Sequence, residues 1–288
     1  MSPLLSWRRE TRERSDALTA SALMASPAER SSAHWPGITL DDVGGLEEAK
    51  EQVKDVIDFL RNPKKYQALG AKIPRNILFS GPHGCGKTLL ARAVVGESGV
   101  PTFYASGAEF IFLAMGIGAA RIRNTFDVAR ANKPSITLID DIDAFARKRN
   151  DTVQGREELE QNQTLIQLMN EIDGVRRSNA GVLLLATTSR IDLIEPALLR
   201  PARFDRIVKI DYPNEAERQS ISQVRLKDMP LEEDVDPSVL ARRTPGFSGA
   251  EIWRLVNEAA LLAARREKQR IAMAEFESVL AQFRPPKT

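Results

Sequence analysis

The chain has 288 residues, of which 42% are hydrophobic and 28% charged, a balance typical of a folded globular protein. Its 41 basic and 39 acidic residues leave a formal net charge of +2, so charge indicates neither a nucleic acid nor an anionic membrane as a partner. One cysteine and two histidines exclude an internal disulfide and argue against a metal site built from Cys and His.

Residues 1–36 are rich in serine and arginine, and we predict that they form a flexible N-terminal arm. Organelle import peptides have a similar basic composition but few acidic residues, and this segment contains Glu10, Glu13, Asp16 and Glu29. We therefore expect a cytoplasmic protein, with import through the arm as the alternative. The sequence contains no run of 18 apolar residues, so no membrane span is predicted.

The next elements predict an α/β domain over residues 37–212. A first helix is indicated by apolar residues at helical spacing, ending at Asn62-Pro63: Val53, Val56, Ile57 and Leu60. Three short apolar runs, 76–80, 136–140 and 182–186, predict buried strands, and helical stretches such as 163–172 separate them. This alternation predicts a parallel sheet covered by helices on both faces.

After Tyr212 the strand pattern stops, and residues 213–288 predict a small helical domain of a size suited to a lid. Ser248 and Glu251 form the pattern of a capping box at the start of one helix. The apolar stripe of that helix is Ile252, Leu255, Val256, Ala259, Leu262 and Ala263. A last amphipathic helix is predicted over 274–283.

A glycine-rich segment at residues 81–88 matches the phosphate-binding pattern GxxxxGK[ST], directly after a predicted strand. Backbone N–H groups of such a turn converge on an anion, and the following helix N-terminus adds positive potential. Lys87 would reach the β and γ phosphates, and the Thr88 hydroxyl would ligate Mg²⁺. The alternative is a glycine-rich turn before a surface helix. Residues predicted to contact the nucleotide here are Gly81, Pro82, His83, Gly84, Cys85, Gly86, Lys87, Thr88 and Leu89.

Two aspartates, Asp140 and Asp141, follow the strand predicted over 136–140. A phosphate-loop protein needs a carboxylate at the end of a neighbouring strand to hold the hydrated Mg²⁺. In isolation such a pair is equally typical of a solvated turn. Together with the phosphate loop, Asp140 is predicted as a metal ligand.

From Ile38 to about Phe283 the chain resembles the AAA subfamily of AAA+ ATPases, closest to the ATPase module of membrane-anchored FtsH-type metalloproteases. The segment Asp41-Asp42-Val43-Gly44-Gly45 is similar to the adenine-contacting segment of the family, and Lys72-Ile73-Pro74 to its approach to the phosphate loop. Residues 196–206 resemble the second region of homology, with Arg203 and Arg206 where the family has two arginine fingers. Residues 244–250 resemble the lid motif that packs on adenine and ribose through Gly249 and Ala250.

The resemblance implies a P-loop α/β domain and a helical lid that clamp Mg²⁺-ATP between them. It also implies a ring, usually a hexamer, in which Arg203 and Arg206 enter the site of a neighbouring subunit. An always-charged, forked guanidinium suits the charge that spreads over a transferring phosphoryl group. The alternative is that Arg200, Arg203 and Arg206 form ordinary surface ion pairs.

Two catalytic positions depart from the family pattern. Asp141 stands where the family has the Glu that polarises the attacking water, and Ser189 stands where the sensor-1 segment has Asn. One methylene less withdraws the carboxylate by roughly 1.5 Å, and a misplacement near 1 Å costs about 100-fold in rate. Because both changes affect the positioning of the water, we expect slow hydrolysis.

Residues 110–116 resemble the central pore loop, but Ala114 stands where an aromatic residue normally grips the polypeptide. Phe112 would substitute if the loop shifted register; otherwise Phe110 and Phe112 serve packing or subunit contacts. Processive unfolding is therefore not expected. Cys85 is interpreted as a small packing residue, with a reactive thiol as the alternative. His83 is interpreted as a tolerated exposed residue.

The sequence thus predicts an ATP-binding AAA ATPase that hydrolyses slowly and remodels or regulates a protein partner in an oligomeric ring. The alternative is a pseudo-ATPase that binds ATP and lends its arginine fingers to active neighbours. The near-neutral charge argues against a nucleic-acid loader. Because the chain ends shortly after the lid and has no HExxH motif, neither protease activity nor a membrane span is expected.

Overall fold

The computed structural model describes residues 37–70, 76–111, 116–148, 155–174 and 181–282. The N-terminal arm, the Lys72-Ile73-Pro74 segment and the pore-loop residues Phe112, Ala114 and Met115 lie outside the described residues.

A five-stranded, all-parallel sheet has the strand order β2-β3-β4-β1-β5. Its strands are β1 (Asn76–Ser80), β2 (Thr102–Ser106), β3 (Ser135–Asp140), β4 (Val182–Thr188) and β5 (Arg206–Lys209). The helices before and between them are α1 (Glu47–Arg61), α2 (Pro63–Ala68), α3 (Lys87–Ser98), α4 (Ile117–Ala131) and α5 (Arg156–Ile172). Because β4 lies between β1 and β3, the loops that follow these three strands are neighbours at one edge of the sheet.

Two apolar clusters cover the two faces of the sheet. On one face, Ile77 and Phe79 of β1 pack with the buried side chains of α1 and α3. On the other, Leu78 packs with those of α4 and α5. Alternate residues of β1 thus point to opposite faces, and all five of its residues are buried. This rigid double-sided packing fixes where β1 ends and the phosphate loop begins.

The C-terminal part is a helical unit of α6 (Glu215–Leu226), α7 (Pro237–Arg243), α8 (Gly249–Arg265) and α9 (Met273–Leu280). It has an apolar cluster of its own, centred on Leu240, Leu255 and Phe276. The predicted capping box is confirmed, since Ser248 Oγ accepts from the Glu251 N–H and the Glu251 carboxylate accepts from the Ser248 N–H. No helix of the described segments is long and apolar enough to cross a membrane.

The fold class predicted from sequence is confirmed, and several details are corrected. The first helix ends at Arg61 as predicted, but Pro63 then opens the short helix α2. Proline is favoured at a first helical position because its missing N–H needs no partner there. Strands β2 and β5 were not predicted. The last helix ends at Leu280 rather than 283, and Phe283 lies outside the described residues.

Residues 110–116, the segment that resembles the family's pore loop, are held in place at both described ends. Phe110 is buried and packs edge-on against Phe145, with ring centroids 5.3 Å apart, so its packing role is confirmed. At the other end the buried Glu160 carboxylate accepts from the N–H groups of Gly116 and Gly118, at 2.6 and 2.9 Å.

Candidate nucleotide-binding site

A cleft of about 410 Å³ lies between the carboxyl edge of the sheet and the helical unit. Open α/β sheets bind ligands at this edge, where loops after several strands converge. The lining residues that sequence predicted are Val43, Gly44, His83, Gly84, Cys85, Gly86, Lys87, Thr88, Leu89, Asp141, Ser189, Gly249 and Ala250. Asp42, in the segment 41–45 that resembles the family's adenine-contacting segment, also lines the cleft, and the lining residues that sequence did not indicate are Leu46, Ile221, Val224, Arg225 and Trp253.

The phosphate loop follows β1 and ends at Gly86, which caps the N-terminus of α3. Gly84 has a φ of 76°, and a Cβ there would lie 2.9 Å from the Ala250 Cβ, so any larger residue is both strained and crowded. The Gly84 carbonyl accepts from the Ala250 N–H at 3.0 Å. The loop is thus tied directly to the lid helix α8.

Lys87 lies inside the loop with only 6% of its surface exposed. Its Nζ donates to the carbonyl oxygens of Gly81 and Pro82, both at 2.8 Å. Burial lowers the pKa of the ammonium, while the nearby Asp140, Asp141 and Asp143 act in the opposite direction. The ammonium is therefore held by weak neutral acceptors in a position from which it can turn to phosphate oxygens.

Thr88 and Asp140 meet although they come from different elements. The Thr88 hydroxyl donates to Asp140 Oδ1 at 2.8 Å, and the Thr187 hydroxyl donates to the same oxygen at 2.6 Å. A hydroxyl and a carboxylate are the hard oxygen ligands that Mg²⁺ prefers, usually as part of a shell that keeps several waters. The pair therefore fits a magnesium site, and Thr187, which sequence analysis missed, orients the carboxylate.

Asp141 occupies the left-handed backbone region, with a φ of 52°. Its N–H donates to the Thr187 hydroxyl at 2.9 Å, which fixes the peptide that leads into the side chain. Burial raises the pKa of the Asp141 carboxyl, and the negative charges of Asp140 and Asp143 add to this. A carboxylate with a raised pKa is a stronger base than an ordinary one, as a group that polarises water requires.

Ser189 follows the end of β4, between the phosphate loop and Asp141. Its Oγ lies 3.1 Å from Nδ1 of His83, so the two side chains form a hydrogen bond between the loops that follow β1 and β4. His83 is exposed as predicted, but it has a specific partner that sequence analysis did not indicate. Asp143, also missed, accepts from the Thr188 hydroxyl at 2.7 Å and braces the end of β4.

Cys85 packs within the apolar cluster beneath the phosphate loop and is 6% exposed. Burial raises the pKa of its thiol to about 11, and the attraction of nearby Lys87 does not offset this. Since the thiolate is the reactive form, this shift favours the packing interpretation of Cys85 over a reactive thiol. The residue fills space below the anion-binding turn.

Arg203 and Arg206 lie away from the cleft of their own chain. Arg203 forms a two-pronged ion pair with Asp173, at 3.0 and 2.9 Å, and also donates to the Ala197 carbonyl. Arg206 begins β5 and pairs with Ile77 at the amino end of β1, which puts it roughly 10 Å from the end where the phosphate loop starts. The Arg206 guanidinium donates to the Gln52 carbonyl, and neither arginine lines the cleft of its own chain.

Residues 43–46 pack against helix α6. Gly44 has no room for a side chain, since a Cβ there would lie 2.5 Å from the Ile221 Cα. The Gly45 N–H donates to the Ser220 hydroxyl at 3.0 Å. Val43 is buried and also lines the cleft. Val43, which sequence predicted, and Ile221, which it did not, thus both contribute apolar lining to the cleft.

Trp253 of α8 lines the same cleft with 51% of its surface exposed, so a bound nucleotide would change its surroundings. We expect Mg²⁺-ATP to produce a saturable change in tryptophan emission. The chain has two other tryptophans, Trp7 and Trp35, both outside the described residues. The change should disappear in Trp253→Phe and persist in Trp35→Phe. A full-sized change in Trp253→Phe would place the nucleotide elsewhere.

Two family models match this chain. The model described as "ATPase family associated with various cellular activities (AAA)" matches residues 77–212, and the one described as "AAA+ lid domain" matches residues 234–278. The first region holds the sheet and the phosphate loop, and the second lies in the helical unit. With this site geometry, the chain belongs to the AAA family of ATPases.

Curated relatives agree with this assignment. The chain is 51% identical over 243 residues to the ATP-dependent zinc metalloprotease FtsH 3 of Symbiobacterium thermophilum. The aligned region covers 84% of this chain and 38% of that protein. It is 50% identical over 240 residues to FtsH of Caulobacter vibrioides, covering 83% and 38%. The FtsH of Rubrobacter xylanophilus is 48% identical over 255 residues, covering 88% and 39%. The chain thus spans less than two fifths of the length of these relatives.

Proposed function

We propose that this chain binds Mg²⁺-ATP between its α/β domain (37–212) and its lid (213–288) and hydrolyses it slowly. The observation that supports this most strongly is that Lys87, Thr88, Asp141 and Ser189 line one cleft, with Asp140 hydrogen-bonded to Thr88. Each comes from the loop or strand end at which P-loop chemistry needs it. The relatives are named as ATP-dependent proteins. No comparison supports the pseudo-ATPase alternative.

In the proposed reaction a water oxygen forms a bond to the γ-phosphorus while the bond to the β–γ bridging oxygen breaks, giving ADP and phosphate. Asp141 polarises the water and takes its proton, and Lys87 turns from the Gly81 and Pro82 carbonyls to the phosphate oxygens. Thr88 and Asp140 would hold Mg²⁺, which neutralises charge on the phosphates when it is bound. Ser189 orients the water or the γ-phosphate.

The proposal extends to an oligomeric ring in which Arg203 and Arg206 act on the site of the next subunit. Their position outside the cleft of their own chain supports a role in trans, because an arginine that acts in cis would have to line the cleft. Coupling to a protein partner, as remodelling or regulation, follows from the family resemblance. A cytoplasmic location remains our prediction from the cysteine content and the composition of the arm.

Lengthening Asp141 tests the proposal that its short reach limits the rate. We expect Asp141→Glu to raise kcat about tenfold or more with KM for ATP unchanged within about twofold, because the added methylene moves the carboxylate toward the water. The left-handed backbone there opposes the longer residue by about 1 kcal/mol of stability. Steady-state ATPase assays and melting curves measure both effects.

The matched control is Asp192→Glu, which adds the same methylene to an exposed aspartate paired with Arg190. That variant should keep the kinetics of the unmodified chain. An Asp141→Glu protein that melts normally and binds ATP, yet hydrolyses no faster, would show that reach is not what limits turnover.

A further inference from the structure

The hydrogen bond between His83 and Ser189 joins two loops that both face the proposed γ-phosphate position. His83 lies in the phosphate loop after β1, and Ser189 lies just after β4, 106 residues further along the chain. The Nδ1–Oγ separation of 3.1 Å is within ordinary hydrogen-bond range. The contact therefore links the element that holds the phosphates to the element that senses them.

Ser189 has few other constraints on its side chain. Its backbone N–H lies 3.4 Å from Asp143 Oδ1, a weak contact, while the preceding Thr188 hydroxyl donates to the same oxygen at 2.7 Å. These contacts fix the backbone at the end of β4 but leave the Ser189 hydroxyl free to rotate about its Cα–Cβ bond. The His83 imidazole is the group that selects one orientation of that hydroxyl.

Asp141 is the third residue of this part of the site, since it lines the same cleft as His83 and Ser189. Imidazole, hydroxyl and carboxylate thus surround one end of the cleft, next to the Lys87 ammonium. Ser189 and Asp141 are the two residues whose side chains are shorter than the family pattern requires. The His83 imidazole contacts one of them, Ser189, directly.

We propose that His83 is a positioning residue for hydrolysis: its Nδ1 holds the Ser189 hydroxyl toward the attacking water or the γ-phosphate. This rests on the proposed ATPase function. A serine one atom shorter than asparagine is effective only if its hydroxyl points in the right direction. The His83–Ser189 pair therefore does jointly what a single longer side chain does at this position in the family.

The test measures kcat and KM for ATP in His83→Ala, His83→Asn, Ser189→Ala and the double variant His83→Ala/Ser189→Ala. We expect His83→Ala to lower kcat about tenfold, which corresponds to the net contribution of one hydrogen bond. KM for ATP should stay within about twofold of that of the unmodified chain. His83→Asn should recover most of the rate, since its side-chain amide can bond Ser189 from nearly the same position as Nδ1. The double variant should be no slower than the slower single variant, because both single changes break the same contact.

His34→Ala, which removes the only other histidine of the chain, is the matched control and should leave kcat unchanged. Equal losses in His83→Ala and His83→Asn would overturn the inference, as would an effect on KM alone. Multiplied losses in the double variant, near 100-fold, would show that the two residues act independently. If the unmodified chain turns over ATP and His83→Ala matches it, this inference alone fails; if the unmodified chain has no turnover, the proposed function fails with it.

Discussion

Replacing Lys87 by alanine is expected to weaken ATP binding at least about 100-fold, a loss of about 2.7 kcal/mol. The change removes a charged donor whose bonds to phosphate oxygens contribute about 1.5–3 kcal/mol each. It also leaves the Gly81 and Pro82 carbonyls without the partner that holds the loop closed. Isothermal titration with ATP in the presence of Mg²⁺ measures the loss directly.

The control for this variant is Lys54→Ala, which removes an equal charge from the exposed face of α1, where Lys54 pairs with Glu51. A surface pair of this kind contributes little to stability, and it lies outside the cleft. ATP affinity should therefore be unchanged. Undiminished binding by Lys87→Ala would show that the nucleotide does not occupy the phosphate loop.

Replacing Arg203 by alanine is expected to lower ATP turnover by about three orders of magnitude while ATP affinity stays within about twofold. An arginine supplied by a neighbouring subunit accelerates phosphoryl transfer about 10³-fold or more. Arg203 does not line the cleft of its own chain, so binding of ATP by that chain does not depend on it. Turnover per subunit should also rise with protein concentration, because the complete site needs two chains.

Arg203 also holds Asp173 and the Ala197 carbonyl, so its removal affects packing as well. Arg203→Lys separates the two effects, because it keeps the positive charge but lacks the forked guanidinium. This variant should fold normally yet still hydrolyse ATP slowly. Arg200→Ala is the matched control, because Arg200 is exposed and only three residues away. Loss of ATP binding in a folded Arg203→Ala protein would contradict a role confined to the neighbouring site.

The parts of the fold that sequence predicted are those with strong local patterns. Strands β1, β3 and β4 are central and buried, so their apolar runs are continuous. Strand β5 is a four-residue edge strand with a charged residue at each end, and such a segment has no apolar run to detect. Helix α2 begins at Pro63, and a proline after a helix predicts the end of that helix rather than the start of another.

At the site, sequence predicted residues that belong to contiguous motifs and missed those that depend on tertiary contacts. Lys87 and Thr88 are fixed by spacing alone. Thr187 is functional only because β4 lies beside β3 and presents its hydroxyl to Asp140. Trp253 faces the cleft only because α8 packs against the phosphate loop through Ala250. No local pattern carries that information.

The central claim is that this chain turns over ATP at the site built around Lys87 and Asp141. The most direct test is the steady-state release of phosphate from Mg²⁺-ATP by the unmodified chain, measured beside Lys87→Ala at equal protein concentration. We predict slow turnover by the unmodified chain that clearly exceeds the Lys87→Ala background. Tight ATP binding by the unmodified chain with no phosphate release above that background would contradict the claim.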